Sequence, residues 1–394
     1  MTTNPRRPEN SSASLVSTRI TRRQFGKGLA SLAALATLRP LHVLAGPVSV
    51  TPDQARELYS HGIVIDALAS PSSFNVPWPP LGPLSTLQLE NAARSGITAV
   101  NLTVDAGGNT YKDVLKNISF WKDQVRAHSS QLLQVRNWSD LTRARRESKL
   151  GLIFGYQGPS RLGGKIKHFD ESARLGVLII QLTYNDSNLL GDGCLVPDDR
   201  GLKPFGREVV RRLNKLGVAV DLSHCSTKTT ADAIALSAKP VLITHSGCRE
   251  VARHPRSKED RELHALAERG GVIGIYMMPF LGERTQTMLL RHIEHALNVC
   301  GADHVGIGSD LSITPVEETP EYLQAHQAIT ASRRQSGNSA PGEGEAPYIP
   351  ELNQPRRLEL IAVALARRGH SASVIEKVIG SNFHRVLGEI WGTS

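Results

Sequence analysis

The segments GVAVDLSH at 217–224 and PVLITHS at 240–246 decide the fold of this 394-residue chain. Each is a short, nearly continuous apolar run that ends in polar residues, and a helical pattern separates the two. Near-continuous apolar runs are typical of parallel strands that are covered on both faces. The pair therefore predicts a strand–helix–strand unit whose polar ends lie at one edge of a sheet.

The same pattern recurs along the chain. Further apolar runs lie at 63–68, 96–104, 151–157, 176–184, 271–278 and 304–310. Residues 203–216 show the helical pattern between them, because Phe205, Val209 and Leu213 form one apolar stripe with basic residues off it. Eight strands separated by helices predict an α/β protein with a (β/α)8 TIM barrel.

The chain is longer than the roughly 250 residues that such a barrel needs. We expect one barrel domain at 46–394, closed by a C-terminal helical segment at about 355–391. The extra length lies mainly at 311–350, a polar insertion whose centre reads QSGNSAPGEGE at 335–345. Because such composition buries little apolar surface, we expect this insertion to be mobile and to lie over the mouth of the barrel.

The charge of the chain is concentrated at its N-terminus. The overall composition, 40% hydrophobic and 21% charged with four cysteines, is that of an ordinary globular protein. Residues 1–45 hold seven of the 46 basic residues and one of the 37 acidic residues, which leaves 39 bases and 36 acids for the remainder. The formal charge of +9 therefore gives no indication of a nucleic-acid partner for the folded part.

Residues 1–45 read as an export signal. The motif TRRQFGK at 21–27 precedes an apolar run at 28–38 and the small-residue pattern VLA at 43–45. That run is shorter than the roughly 20 residues of a membrane span. We expect a twin-arginine signal peptide, export by the twin-arginine machinery, and a periplasmic or secreted bacterial protein with no membrane span after processing. The alternative is a basic tail that precedes a buried helix.

Polar residues follow most of the predicted strands. In a parallel barrel the catalytic residues lie where the strands end and the following loops begin. The side chains at these ends are Asp66, Gln157, Tyr184, His224, His245 and Asp310. Two imidazoles and a carboxylate suit a zinc ion, which would lower the pKa of a bound water, and Asp310 could then transfer a proton.

Structural roles are open to the same residues. His224 and His245 could be hydrogen-bonded core histidines, Asp310 could cap the next helix, and Asp66 could be a structural loop carboxylate. His292 and His295 imitate a zinc pair at helical spacing, but they precede the last strand, so we expect both on the surface of a helix.

Several motifs carry a family resemblance. They are GLKPFGREVV at 201–210, VDLSHCS at 220–226, THSGCR at 244–249, HPRS at 254–257, HVGIGSD at 304–310 and NFHRVL at 382–387. In this order they resemble the membrane dipeptidase (renal dipeptidase) family of metallopeptidases in the amidohydrolase superfamily. The resemblance extends over 50–394 except for the insertion, and it implies hydrolysis of a dipeptide by a two-zinc centre.

The resemblance also implies individual roles. His224 and His245 match the two histidine ligands of one zinc ion, and Asp310 matches the aspartate beside the bridging water. Arg256 matches the arginine that binds the substrate carboxylate, a task suited to the guanidinium fork. The alternative for Arg256 is a surface arginine in a basic loop.

The chain departs from the family pattern at the other zinc ion. The family sequence Asp-Gly-His-x-Asp after the first strand is replaced by Asp66-Ala67-Leu68-Ala69-Ser70. The bridging glutamate is replaced by Gln157, and a substrate-contacting histidine by Tyr184. We therefore expect one metal ion rather than two, held by His224, His245 and Asp310. Gln157 would face the substrate, and Tyr184 would polarise its carbonyl.

The cysteines leave a further choice open. Cys194 and Cys248 could replace a lost metal ligand, form a disulfide in an oxidising compartment, or be small buried residues, and we favour the last of these.

Three functions compete at this point. The first is a one-metal hydrolase of a dipeptide or related amide. The second is a catalytically inactive periplasmic barrel that binds a peptide or metabolite. The third is an enzyme of non-hydrolytic chemistry that uses Tyr184 or Cys248. Members of the family are often dimers, so the resemblance also leaves a homodimer open.

Overall fold

The computed structural model describes residues 50–73, 82–105 and 109–392. The predicted signal peptide lies outside these residues, so it stays a prediction. Among the helices of the described ranges, none combines the length and apolar character that crossing a membrane requires.

The predicted eight strands form a closed parallel barrel, which confirms the predicted fold. The strands of the structure are β1 Ile65–Asp66, β2 Ala69–Ser70, β3 Ala99–Thr103, β4 Leu132–Gln134, β5 Leu150–Tyr156, β6 Val177–Gln181, β7 Ala219–Asp221, β8 Leu242–Ser246, β9 Val272–Ile275, β10 Val305–Ile307 and β11 Leu311–Ser312. The barrel consists of β1, β3 and β5 to β10, and it closes because β1 pairs with both β3 and β10. β4 adds to one side of β5, and β2 pairs with β11 in a separate parallel pair.

Helices cover the outside of the barrel. They are α1 Pro52–His61, α2 Thr86–Ser95, α3 Tyr111–Ala127, α4 Ser139–Arg146, α5 Ile166–Leu175, α6 Pro204–Leu216, α7 Thr227–Leu236, α8 Asp260–Glu268, α9 Gln286–Cys300, α10 Pro320–Gln335, α11 Arg357–Arg367, α12 Ala372–Glu376 and α13 Asn382–Trp391. α6 matches the helix predicted at 203–216. It starts at Pro204, ends before a left-handed Gly217, and buries Val209 and Leu213.

The C-terminal segment is helical, as predicted, and closes one end of the barrel. α13 directs Phe383 and Leu387 into a cluster with Ile65 and Ile153, which lie on barrel strands. Position 306 of β10 requires glycine, because a Cβ atom there would lie 2.5 Å from the ring of Phe383. This plug occupies the end opposite the strand C-termini, so the other end is left for the site.

The polar insertion at 311–350 contains more regular structure than its composition predicts. β11 pairs with β2, and α10 extends over 16 residues with Thr319 as its N-cap. The loop that follows α10 contacts the barrel, because Asn185 donates a hydrogen bond to the carbonyl of Asn338 and His254 contacts the carbonyl of Pro341. The sequence lacks a marked apolar stripe in α10, which buries only His326 and Thr330, and periodicity therefore gave no signal for it.

Candidate active site

Two histidines face each other at the ends of neighbouring strands. His245 lies within β8, and His224 follows β7 by three residues. Both side chains are buried, and their Nε2 atoms are 3.0 Å apart. The paired strands thus bring together the two imidazoles that the sequence predicted as metal ligands.

Hydrogen bonds determine which nitrogen of each ring carries the proton. Asn185 donates through Nδ2 to Asn338, so its Oδ1 accepts from His224 Nδ1 at 2.7 Å. Thr244 donates its hydroxyl to Asp221, so its oxygen accepts from His245 Nδ1 at 2.8 Å. Both rings therefore use Nδ1–H as a donor, which leaves an unprotonated Nε2 on each.

Burial keeps both imidazoles neutral. Removal from water is the largest cause that lowers the pKa of His224 and of His245 well below the usual range, and the Arg256 guanidinium is the next. A neutral imidazole is the form that binds a metal ion. The two Nε2 atoms present facing lone pairs, an arrangement that a bound cation stabilises.

Asp310 lies at the same mouth, three residues after β10. Its backbone has a φ of 60°, a left-handed conformation that aspartate tolerates better than most residues, and its amide donates to the carbonyl of Leu68 at 2.8 Å. Burial raises the pKa of Asp310 to about 7, and the Arg256 guanidinium is the largest opposing influence. A carboxyl group with such a pKa can accept and return a proton near neutral pH.

Arg256 is buried, so the alternative of a surface arginine is wrong. Only 2% of the residue is exposed. Its guanidinium donates to the carbonyl of Ser223 and, at 3.4 Å, to the carbonyl of His245, and it lies 5.8 Å from the ring centre of Tyr276. Arg256 thus braces the strand ends that carry both histidines, and its charge acts electrostatically on His224, His245 and Asp310.

Tyr184 covers one of the histidines. Its ring stacks on that of His224 with centroids 4.2 Å apart and an interplanar angle of 23°. Its hydroxyl accepts a hydrogen bond from Arg333 of α10. Burial raises the pKa of Tyr184, so the phenol is a hydrogen-bond donor at neutral pH.

On the β1 and β5 side of the mouth, the polar side chains make hydrogen bonds within the protein. Asp66 accepts from the amide and the hydroxyl of Ser309, at 2.7 and 2.6 Å. Gln157 donates its side-chain amide to the Thr103 hydroxyl at 2.8 Å, and its backbone amide donates to Asp105 at 3.0 Å. Asp66 and Gln157 are therefore scaffold residues here, and Asp66 matches the interpretation as a structural carboxylate.

The donor set fits one metal ion at the histidine pair and does not fit two. A separation of 3.0 Å suits two ligands that each bind zinc at about 2.0–2.1 Å. Among the described residues, three potential ligand side chains lie within 4.8 Å of one another at Glu250, Asp260 and His295, and Asp310 does not complete such a group with the two histidines. At the position of the second ion, Leu68 and Ser70 offer no imidazole or carboxylate.

Other histidines and the cysteines have structural roles. His292 is buried, which corrects the expected surface position: its Nδ1 accepts from the amide of Cys248 at 3.0 Å, and its Nε2 contacts the carbonyl of Leu281. His295 instead bonds Asp260 at 2.7 Å. All four cysteines are free thiols, so Cys194 and Cys248 form no disulfide.

Sequence reasoning missed three residues of the mouth. Asn185 orients His224, and Arg333 and Glu343 approach from the insertion. Asn185 directly follows Tyr184, so reading one residue further past the strand would have found it. Arg333 and Glu343 lie 26 and 36 residues beyond the end of β10, the last barrel strand, where strand-end positions give no signal.

Comparison with known proteins agrees with this geometry. The family model of the membrane dipeptidases, peptidase family M19, matches residues 87–331, more than half of the chain. Dipeptidase tcpJ of Claviceps purpurea (strain 20.1) is 27% identical over 286 residues, which are 71% of this chain and 60% of that protein. Dipeptidase verJ of Clonostachys rogersoniana is 27% identical over 298 residues, 74% of this chain and 68% of that protein.

Solved structures share the fold. An amidohydrolase from Pseudomonas aeruginosa has a TM-score of 0.75 and 29% identity, and the match covers 87% of this chain and all of that one. A metallopeptidase from Rhodobacter sphaeroides, solved with a phosphinate mimic of the dipeptide L-Ala-D-Ala, has a TM-score of 0.67 and 19% identity over 84% of this chain and all of that one. The barrel, the strand-end histidines and the family match lead to one conclusion: the chain belongs to the membrane dipeptidase family, peptidase family M19.

Proposed function

We propose that this protein is an exported hydrolase that cleaves a dipeptide, or a related amide with a free carboxylate, with the help of one metal ion. The observation that carries the proposal is the pair of buried, neutral imidazoles whose unprotonated Nε2 atoms face each other at 3.0 Å. His224 and His245 would hold the ion, and Asp310, which does not close a three-ligand group with them, would transfer protons at the same mouth. Imidazole ligands suit zinc, which the family membership favours.

A bound zinc ion would supply a water of lowered pKa and would polarise the scissile carbonyl. The protein supplies the proton transfers. The carboxylate of Asp310 accepts the proton of the attacking water and later gives it to the leaving nitrogen, a cycle that its raised pKa suits. Without that second transfer, the departing amine would leave as an unstable anion.

Other side chains of the mouth orient the substrate. Arg256 would bind the terminal carboxylate with its guanidinium fork. Tyr184 would donate its phenol hydrogen to the oxygen of the tetrahedral intermediate. Gln157 is held in the scaffold by its side-chain NH2 group, which donates to Thr103, so only its amide oxygen would be left for a polar group of the substrate.

The proposal is tested by metal analysis and a dipeptide screen of the same preparation. We expect about one zinc ion per chain and turnover of at least one dipeptide that stops when a chelator removes the ion and resumes when zinc is returned. A preparation that holds about one ion yet turns over no dipeptide would contradict the proposed reaction. Two ions per chain would contradict the one-metal assignment alone.

One observation favours a second candidate, a barrel that binds a peptide or metabolite without cleaving it. On the β1 and β5 half of the mouth, Leu68, Ser70 and Gln157 stand where the family pattern has metal ligands. Arg256, Arg333 and Lys258 all act electrostatically on His224. Such a positive site binds an anion without a metal. This candidate predicts thermal stabilisation by carboxylate-bearing peptides in chelated protein, with no turnover after metal is added.

Export is proposed from residues 1–45, which lie outside the described part of the chain. The motif TRRQFGK supports twin-arginine transport into the periplasm or beyond. We expect Arg22→Lys/Arg23→Lys to keep the unprocessed protein in the cytoplasm, as measured by cell fractionation. Cleaved periplasmic protein from this variant would contradict the assignment. A homodimer is also a prediction, and light scattering of the mature protein measures it.

A further inference from the structure

Arg333 reaches the mouth of the barrel from the polar insertion. It lies near the end of α10, and its guanidinium makes three contacts with polar or aromatic groups. It donates to the hydroxyl of Tyr184, its Cζ lies 5.3 Å from the Tyr184 ring centre, and its Nη1 lies 3.4 Å from a carboxylate oxygen of Glu343. Two of the three contacts are thus made with one phenol.

This arrangement differs from an ordinary surface ion pair. The Arg333 side chain is 35% exposed, and that of its partner Glu343 only 8%. Exposed pairs contribute little, whereas a guanidinium placed on the half-buried phenol acts in a medium where charge is screened less than in water. Its charge extends to the site, because Arg333 is among the groups that act electrostatically on Tyr184, Asp310 and His224.

The contact determines what the phenol can do. A guanidinium carries only donors, so the Tyr184 oxygen must be the acceptor. Within the described ranges, no hydrogen bond donated by Tyr184 is found, and its hydrogen is left for another acceptor. Stacking on His224 places the same ring against one of the two imidazoles. The Tyr184 hydroxyl thus lies beside the histidine pair, where the scissile carbonyl would bind.

We propose that Arg333 is a positioning residue that prepares Tyr184 to stabilise the oxyanion. The inference rests on the proposed function and deepens it. By donating to the phenol oxygen, Arg333 turns the remaining hydrogen toward the site and makes it a stronger donor, since hydrogen bonds assisted by charge are shorter and stronger. The insertion thereby supplies positive charge that the family pattern, with its second ion, provides in another way.

The step can be followed atom by atom. The attacking water oxygen forms a bond to the carbonyl carbon, its proton passes to Asp310, and the carbonyl π pair moves onto the oxygen. Tyr184 donates a hydrogen bond to that oxygen without losing its proton. When the pair returns, the carbon–nitrogen bond breaks and Asp310 delivers the proton to the departing nitrogen. Arg333 is unchanged throughout, and it only lowers the energy of the charged intermediate.

The alternative is that Arg333 merely fastens the insertion. Glu343 and Asn338 of the insertion also contact Asn185, which orients His224, so a loose insertion would disturb the histidine as well. A fastening role would change substrate binding and stability together. The proposed role would change the rate of the chemical step and leave ground-state binding nearly as it was.

The first experiment compares Arg333→Met with Arg333→Lys in the zinc-loaded protein. Removal of one oxyanion donor costs about 10²–10³ in kcat, and Arg333 acts through such a donor, so we expect kcat to fall roughly 10–100-fold in Arg333→Met with KM within about threefold. Arg333→Lys should recover part of kcat. Arg334→Met, at the exposed next position of the same helix, is the matched control and should keep full activity.

Two further variants keep the test decisive. Arg333→Met/Glu343→Gln removes both charges of the pair, so it guards against a fold weakened by an unpaired buried carboxylate. When Tyr184→Phe is already present, adding Arg333→Met should lower kcat by less than about threefold further, because the phenol that Arg333 prepares is gone. Additive losses, or a rise in KM at unchanged kcat, would overturn the inference.

Ligand binding gives a readout that does not need turnover. A phosphinate dipeptide mimic carries negative oxygens at a tetrahedral centre, whereas a ketomethylene mimic keeps a planar carbonyl. Arg333→Met should weaken phosphinate binding about tenfold or more and ketomethylene binding less than threefold, as measured by calorimetry. Equal losses for both would overturn the inference alone. A wild-type protein that turns over no dipeptide would overturn the proposed function and this inference with it.

Discussion

The two halves of the barrel mouth use their buried polar side chains in opposite ways. At the ends of β7 and β8, His224 and His245 use Nδ1 for their hydrogen bonds to Asn185 and Thr244, so the two Nε2 atoms face each other with lone pairs that a ligand could use. On the β1 and β5 half, Asp66 accepts two hydrogen bonds from Ser309, and Gln157 donates its amide to Thr103. One half is prepared to bind, and the other is part of the scaffold.

The difference shows how a site can change without loss of the fold. A buried polar group costs stability unless it finds a partner. Where a ligand of the family is replaced, as at Gln157, the new side chain has a partner within the protein. Where the histidines of the family pattern are kept, their partners Asn185 and Thr244 bind Nδ1 and leave Nε2. Buried polar side chains therefore have hydrogen-bond partners in both halves, but only the half with the histidines keeps nitrogen lone pairs that could bind a ligand.

The largest effect is expected from removing the binding half. His224→Ala/His245→Ala should take the zinc content from about one ion per chain to none and abolish hydrolysis, because two of the protein ligands are lost. Mass spectrometry of the native protein measures this. His295→Ala is the matched control, since His295 belongs to the surface group with Glu250 and Asp260. If His295→Ala lost the zinc ion and the His224→Ala/His245→Ala variant kept it, the two halves of the comparison would be reversed.

A smaller loss is expected from Asp310→Asn. An amide cannot transfer the proton, so kcat should fall by about 10²–10⁴ while zinc stays bound by the two histidines. Steady-state kinetics and metal content of the same sample measure the two quantities. Loss of the ion in this variant would show that Asp310 acts mainly as a ligand.

The same carboxyl group predicts a pH dependence of stability in chelated protein. Its folded pKa of about 7 lies above the ordinary value of 3.8, so its contribution to stability is fully present below pH 3.8 and is lost as pH rises through about 7. The fall in Tm between pH 4 and 8 should therefore be shallower in Asp310→Asn than in the wild type. Parallel Tm profiles would contradict the raised pKa.

The third effect concerns Arg256. Hydrogen bonds to charged groups contribute about 1.5–3 kcal/mol, so Arg256→Lys, which loses the fork, should lower kcat/KM for a free dipeptide roughly 10–100-fold. A dipeptide amide lacks the carboxylate, and its already low kcat/KM should change less than threefold. Equal losses for both substrates would show that Arg256 only braces the carbonyls of Ser223 and His245.

The sequence predicted the parts that depend on periodicity. All eight barrel strands and α6 follow from apolar runs, since burial on both faces leaves a readable pattern. β4 lies in the stretch LLQV at 132–135, which is shorter than any of the predicted apolar runs and is flanked by polar residues, and α10 is exposed along most of its length. The helix therefore escaped prediction for the same reason that its segment looked unstructured.

The site was predictable where residues lie at strand ends. His224, His245, Asp310 and Tyr184 were found because chain topology alone brings strand ends together. The facing of the two Nε2 atoms depends on Asn185 and Thr244, and such hydrogen-bond partners leave no mark in spacing. The burial of Arg256 likewise follows from loop packing, which local sequence does not encode.

The smallest effect is expected from a substitution that tests whether metal binding can be restored to the β1 and β5 half. Gln157→Glu restores the family's carboxylate, yet we expect no second zinc ion, because Leu68 and Ser70 still offer no ligand and the new charge lies near the buried carboxylate of Asp105. The new carboxylate cannot donate to Thr103 as the amide does, and its charge lies close to Asp105, so Tm should fall by a few degrees. Gln157→Met removes the amide without adding charge, so it is the control for Tm. If metal analysis of Gln157→Glu found two ions per chain, the half built from β1 and β5 would have kept its coordinating geometry, and only its charge would have been missing.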